Sequence, residues 1–434
     1  MNLKETSTKP NLLTRIWAWA PAQNRVEAQA LVLAIACFFC VLTSYYIIRP
    51  IREQFASEAG GSQALPMLYL MVFTTMILVT PFYGAIVAKF SRRIFVPVIY
   101  LFFLSCMLVI GPLFRLIDDS VINARIFYVW VSIFNLFIVS VFWSCMSDVF
   151  DPSRSKRMYG FIAIGGTAGA YFGPRIAGYF VASIGIEGLY KVAAAFLLFA
   201  LVCLIALLNS SKARTFNKNT DESSLGGGIW EGAHITLKNP FMRRMALLLL
   251  CADGVSTILY SKVSDYAKIT FTNSVDRTIF FASLDWNVAL ISFCLQIVAV
   301  PLFMAYFGAS RTQAFPNLAN FFGLIFVAIT GDVALLPLAL ILTRSGGYGL
   351  VNPARESLFT RVGRDVRFKA KAFIDTVVWR GGDLMMVTMV ATLVNLGAGV
   401  GTFGILAACF ALIAVALSWN VEQLLPISNL KDKT

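Results

Sequence analysis

Charge is what this 434-residue sequence is short of. Asp, Glu, Lys and Arg make up 14% of it, hydrophobic residues make up 58%, and the mean hydropathy is +0.74. Soluble domains carry roughly a quarter charged residues. A chain this long with so few charges cannot cover a water-facing surface, so lipid must be part of its solvent. Histidine is nearly absent as well. His234 stands alone, which excludes a His-rich metal site or proton relay. There is no Walker loop, no His-Glu-x-x-His helix, no nucleophile elbow and no sizeable soluble segment. These absences argue against an enzyme, and no cofactor or metal is expected. A cleavable signal peptide is missing too. The first long apolar run continues into Arg49-Pro50 without a small-residue cleavage site, which predicts a permanent helix.

Positive charge is in excess. Lys and Arg total 36 against 23 Asp and Glu, for a net charge of +13. That balance can signal nucleic acid. Here the basic residues lie at the ends of apolar runs, the pattern of a polytopic membrane protein whose cytoplasmic loops hold Lys and Arg. The expected partner is therefore the lipid bilayer, with no nucleic acid. The 37 Phe suit lipid-facing helices. All eight cysteines fall inside apolar runs and read as small buried hydrophobes, neither disulfides nor zinc ligands.

A membrane-crossing helix needs about 20 apolar residues. Such runs lie at 28–50, 64–88, 94–115, 124–147, 160–183 and 189–208, then at 243–271, 278–306, 314–331, 334–358, 372–396 and 400–421. The expected fold is an all-α polytopic membrane protein of about twelve transmembrane helices. It divides into a segment 1–27, a six-helix bundle 28–208, a linker 209–240, a second six-helix bundle 241–421 and a tail 422–434. The even-to-odd connections carry Lys89, Arg92 and Arg93, then Arg154, Lys156 and Arg157, then Arg311, then Arg361 through Lys371. The positive-inside rule then puts both termini in the cytoplasm of a bacterial inner membrane. Arg154–Phe161 and Arg367–Phe373 are alike, each basic, ending in an aromatic and opening the next helix. Their offset of about 210 residues, with equal orientation, suggests parallel repeats, as in major facilitator transporters. Gly84–Arg93 resembles the loop between helices 2 and 3 of that superfamily. Gly169-x-x-x-Gly173-Pro174-x-x-x-Gly178 resembles its helix 5, where glycines four apart let helices approach closely.

Ionisable groups at a bilayer centre cost about 2.5–3.5 kcal/mol each on insertion scales, so they need partners or a wet cavity. The apolar runs hold Arg49, Arg52, Glu53, Asp148, Arg175, Asp253, Lys262, Asp285, Arg344, Arg355, Asp375, Arg380 and Asp383. Glu53 is placed to neutralise Arg49 one turn away, and Arg380 to pair with Asp383. Arg175 and Arg344 have no acid within four residues and must pair across helices or face a cavity. Basic groups from both bundles converging near the midplane would favour an anion, and the arginine fork suits phosphate or carboxylate. The expected solute-binding set is Arg49, Arg52, Arg175, Lys262, Arg344 and Arg380. Tyr45, Tyr46, Trp143, Trp286 and Trp379 are available to stack on a ring.

Three stretches resemble a known family. Ser44–Glu53 resembles the end of helix 1 in the ATP/ADP translocases of plastids and intracellular bacteria. Phe142–Asp148 with Ser155–Gly160 resembles that family's helix 4 to 5 segment, and Phe368–Asp375 its helix 10 to 11 segment. The chain looks like the shorter, free-living bacterial branch. The resemblance implies a carrier that exchanges nucleotides, and it points to Arg49, Arg52, Glu53, Asp148, Lys262, Lys369, Lys371 and Asp375. The chain departs from the family at Ser147-Asp148, where Asn-Glu is usual, and at Ile258, which stands where an acid precedes the lysine. A related phosphorylated anion therefore fits as well as ATP or ADP. The expected coupling or gating set is Glu53, Asp148, Asp253, Lys369, Lys371, Asp375 and Asp383. The alternative is a proton-coupled major facilitator transporter of an unrelated small metabolite or drug, with Glu53, Asp148, Asp253 or Asp375 as the protonated carboxylate. Two fused bundles already enclose a pathway, so a monomer is expected.

Overall fold

The computed structural model describes residues 25–425 apart from Phe90, Asp118, Asp151 and 210–228. All regular structure among the described residues is helical. The first four helices are α1 (Arg25–Glu58), α2 (Leu65–Lys89), α3 (Arg92–Ile117) and α4 (Ser120–Val149). The run Pro152–Asn209 is broken at Gly185, with φ 67° and ψ 179°, into α5 (152–184) and α6 (186–209). A short helix, α7 (Ile229–Lys238), precedes α8 (Pro240–Thr270). The run Ser274–Thr330 is broken at Gly308, with φ 72° and ψ 170°, into α9 (274–307) and α10 (309–330). The chain ends in α11 (Val333–Phe359), α12 (364–395) and α13 (Val400–Ser418). Gly185 and Gly308 occupy backbone conformations open essentially to glycine alone, which lets the chain reverse where helical sequence runs on both sides. Every helix except α7 is long enough, at about 1.5 Å per residue, to cross a hydrocarbon core of about 30 Å. That makes twelve helices of crossing length among the described residues.

The helix starts are written in polar residues. Asp119, Asn239 and Asn273 each accept hydrogen bonds from the first free amides of α4, α8 and α9. Among the described residues three helices carry a π-turn, α9 at Leu295–Ala299, α11 at Gly347–Val351 and α12 at Ile374–Val378. The first two are followed by a proline, Pro301 or Pro353, which lacks the amide that the carbonyl four residues back requires. The wider turn absorbs that gap, and such turns recur at functional sites.

α1 and α5 pack with almost no side chain between them. A Cβ on Gly165 would lie 2.4 Å from the Ile35 carbonyl oxygen, one on Gly169 2.6 Å from that of Phe39, and one on Gly173 2.6 Å from the Tyr46 Cβ. The glycine spacing legible in the sequence is thus the α1–α5 seam. Gly178 meets α9 instead, at Ala282. One apolar core fills α1 and α3–α6, with Phe38 stacked on Phe142 at 4.5 Å. Two others serve α8–α13, one of them shared with α2. Cys37, Cys145 and Cys251 are buried as expected, but Cys294 and Cys409 are exposed, and no disulfide joins any of the eight.

The segment 209–240 holds more than a linker. Residues 210–228 lie outside the described residues, but α7 docks on the start of α12. Glu231 pairs with Lys369, and a Cβ on Gly232 would lie 2.5 Å from the Lys369 carbonyl oxygen.

Polar contacts tie the first six crossings to the last six around the α1–α2 turn. Ser57 Oγ donates to the Ser264 carbonyl at 2.8 Å, and the Ser62 amide and hydroxyl donate to the Asp265 carboxylate at 2.7 and 2.8 Å. Gln63 Nε2 donates to the Ala391 carbonyl at 3.3 Å, and Arg277 lies 3.9 Å from Glu58.

Candidate functional site

α1 carries Arg49, Arg52 and Glu53 at positions where it faces α8, α9 and α4 rather than lipid. All three are well buried, with Glu53 only 2% exposed. Glu53 is the hub. It pairs with Arg52, lies 3.8 Å from the Arg49 Nε and accepts a hydrogen bond from the Tyr260 hydroxyl of α8. Arg52 also rests on the Tyr128 ring of α4 at 4.8 Å. The expected Arg49–Glu53 pair is therefore present, but Arg52 holds the carboxylate more closely.

Asp285 of α9 is the second acid of the cluster. One of its oxygens lies 3.4 Å from Arg49 Nη1 and 4.0 Å from Arg344 Nη1 of α11. Arg344, which had no acid near it in sequence, thus finds one across helices, and its guanidinium lies 5.2 Å from the Tyr260 ring centroid. Three guanidiniums from both repeats therefore share two carboxylates.

Arg175 and Arg380 have no ion pair among the described residues. Arg175 lies over Trp286 at 4.7 Å, and Arg380 beside Trp379 at 5.8 Å. Arg380 does not form the expected pair with Asp383. Asp383 instead accepts from Thr257 Oγ1 at 2.7 Å and lies near the Asp253 carboxyl of α8. Arg380 shares a small cavity of about 50 Å³ with Arg52, Tyr69 and Tyr128, so it too meets the first repeat.

Two larger cavities flank the Arg49–Asp285–Arg344 bridge. One, of about 240 Å³, lies among α1, α5, α9 and α11 and is lined by Phe38, Tyr46, Arg49, Thr167, Asp285 and Gln296. The other, of about 70 Å³, lies within the second repeat, lined by Asp253, Asn317, Asn320, Arg344, Asn352 and Arg355. Tyr348, on the π-turn of α11, lines both.

The remaining candidates sit elsewhere. Lys262 is not part of the cluster. It pairs with Asp265 at 2.6 Å, lies over Phe403 at 4.7 Å, and joins the α1–α2 turn contacts. Lys369 and Lys371 pair with Glu231 and Glu356 near the start of α12. Asp375 faces Arg355 at 4.0 Å. Asp148 ends α4, and its side chain lies outside the described residues. Sequence reasoning left out Asp285 and Tyr260. Asp285 was visible as an intramembrane acid, but nothing local marked its partners, and Tyr260 carried no signal at all.

This geometry, a buried charge cluster between two parallel six-helix repeats, can be set beside known proteins. The ADP,ATP carrier protein 1 of Chlamydia trachomatis serovar D is 22% identical over 96% of this chain and 92% of its own. A bacterial homologue of the iron transporter ferroportin, solved in an inward-facing state, superposes with a TM-score of 0.64 at 16% identity, covering 92% of this chain and 99% of its own. A peptide transporter POT bound to alafosfalin gives 0.65 at 16% identity, over 95% and 99%. Likeness at such identity shows the fold alone. The model of the Major Facilitator Superfamily matches residues 33–378, and the chain belongs to that family.

Proposed function

We propose that this chain exchanges a phosphorylated, nucleotide-like anion across the bacterial inner membrane, as a monomer with both termini in the cytoplasm. The observation that carries the reading is the charge imbalance between the repeats. Among the described residues Arg49, Arg52 and Arg344 pair only with Glu53 and Asp285, and Arg175 and Arg380 have indole neighbours and no ion pair, with Asp253 and Asp383 farther off. An unbalanced guanidinium in low dielectric is costly, and a mobile anion relieves that cost. Aromatic walls at Tyr46 and Tyr348 suit a planar ring. The similarity to carriers named for ADP and ATP supports the same solute class. The site lies where two rocking repeats meet, so each conformation opens it to one side. In the present conformation the α1–α2 turn is held against α8, which closes that side.

The test is uptake of labelled ADP, ATP and a panel of other phosphorylated anions into vesicles containing the purified protein. Exchange requires that uptake depend on unlabelled solute inside and ignore an uncoupler. Uptake of no phosphorylated anion from the panel rejects the reading.

A second reading, proton coupling, rests on the proximity of Asp253 to Asp383. Asp253 lines the cavity that also holds Arg344, and two carboxyls brought close together repel unless one takes up a proton. Collapse of uptake by an uncoupler selects this reading.

A further inference from the structure

We infer that Asp285 is the carrier's built-in counter-anion, a stand-in that the solute displaces from Arg49 and Arg344. The inference rests on the anion reading above and deepens it. Four observations place Asp285 in this role. Its carboxylate is 5% exposed, so it cannot be an ordinary solvated charge. One oxygen serves two arginines from different repeats, at 3.4 and 4.0 Å. Both separations exceed the 2.7–2.9 Å of a tight charge-assisted hydrogen bond. The other oxygen, Oδ2, has no hydrogen-bond partner among the described residues, and Asp285 lines the 240 Å³ cavity beside Arg49. Glu53 differs in its partners and its place, since its two arginines both come from α1. It is held by Arg52 and by Tyr260, and it lines neither of the two larger cavities.

A carboxylate that is buried, loosely shared and half unpartnered is a poor structural salt bridge and a good placeholder. A phosphate entering the cavity offers two or three oxygens to the forks of Arg49 and Arg344, where Asp285 offers one. Displacement severs the Asp285–Arg49 tie between repeats and replaces it with a solute-borne one. The empty and loaded sites are then both charge-compensated, which is what a carrier requires if it is to release what it binds. Removing the competing charge should make the site hold its anion too well.

The experiment measures binding of ADP and of inorganic pyrophosphate by calorimetry to detergent-purified full-length protein, alongside ADP exchange in vesicles. Asp285→Asn should bind both probes about tenfold more tightly than wild type, equivalent to ~1.4 kcal/mol, and exchange more slowly. Adding Arg344→Gln should remove the gain. Asp285→Glu, which keeps the charge and extends its reach, should bind about tenfold more weakly and tests the idea independently of how well the Asn variant folds. Wild-type binding left unchanged or weakened in Asp285→Asn, or tightened in Asp285→Glu, overturns the inference alone. Failure of wild type and both variants to bind either probe overturns the anion reading and the inference with it.

Discussion

Asp265→Ala should release the α1–α2 turn from α8 and shift the carrier toward the conformation open on that side. The Asp265 carboxylate accepts from the Ser62 amide at 2.7 Å, the Ser62 hydroxyl at 2.8 Å and Lys262 at 2.6 Å. Lys262 is on the same helix and stays with Asp265 in any rigid-body motion. The two Ser62 bonds cross between repeats and are lost on opening. A hydrogen bond to a charged group contributes about 1.5–3 kcal/mol. The Asp265 side chain is 21% exposed, so water recovers part of that and the lower figure applies. Two such bonds amount to about 3 kcal/mol, a shift of about a hundredfold at ~1.4 kcal/mol per decade. Ser62→Ala removes one bond and should shift the ratio about tenfold. Spin labels at Leu116 and Leu396, both highly exposed at helix ends on that face, report the separation by pulsed electron resonance. Exposed Cys294 and Cys409 must first be replaced. Wild-type distance distributions in both variants would refute the assignment of this contact as a gate.

Other expectations test the cluster and its frame. Gly61→Val should open the same gate more than Ser62→Ala does, because Gly61 has φ +60° and a Cβ there would sit 2.5 Å from Asp265 Oδ1; the same labels read it. Gly169→Leu should prevent α1 and α5 from closing on each other, since a Cβ already falls 2.6 Å from a backbone oxygen, and size-exclusion profiles should show loss of monodisperse protein. Arg49→Ala and Arg380→Ala should each abolish ADP binding, and wild-type transport in both would dispose of the basic site. Glu53→Gln keeps an acceptor for Tyr260 but leaves Arg52 without a carboxylate, so it should cost about 3–5 kcal/mol and lower the melting temperature in detergent.

Much of this architecture is legible in the chain because lipid leaves so few options. Hydropathy located each long helix among the described residues to within eight residues at either end, even where Gly185 and Gly308 leave helical sequence unbroken on both sides. The glycine spacing of α5 marked a close helix seam, because only glycine allows backbone-to-backbone contact, and the structure supplies α1 as its partner. Legibility ends at pairing between helices. Arg344 and Asp285 are 59 residues apart in sequence and 4.0 Å apart in space, and no local rule joins them. Proximity in sequence misleads in the other direction. Arg380 and Asp383 are three apart on one helix, yet Asp383 turns to Thr257. Lys262 belonged with the other cations by charge, but its height in α8 sets it beside the α1–α2 turn.

The cluster is better understood as retained for transport than for stability. Breaking a buried pair by removing one partner is strongly destabilising, but replacing a whole network with apolar residues of similar volume is often neutral or stabilising. The surrounding cores show that the helices pack without charge. The one around Phe38, Phe134 and Phe142 is built from aliphatic and aromatic side chains. A concerted replacement, Arg49→Met, Arg52→Met, Glu53→Leu, Asp285→Leu and Arg344→Met, therefore separates the two roles. It should melt at or above the wild-type temperature in detergent, remain monodisperse, and bind no ADP or pyrophosphate. A melting temperature below that of Glu53→Gln would mean that the ion network is a structural element of the interface between repeats. The excess guanidinium would then have to be explained by packing, not by a travelling anion.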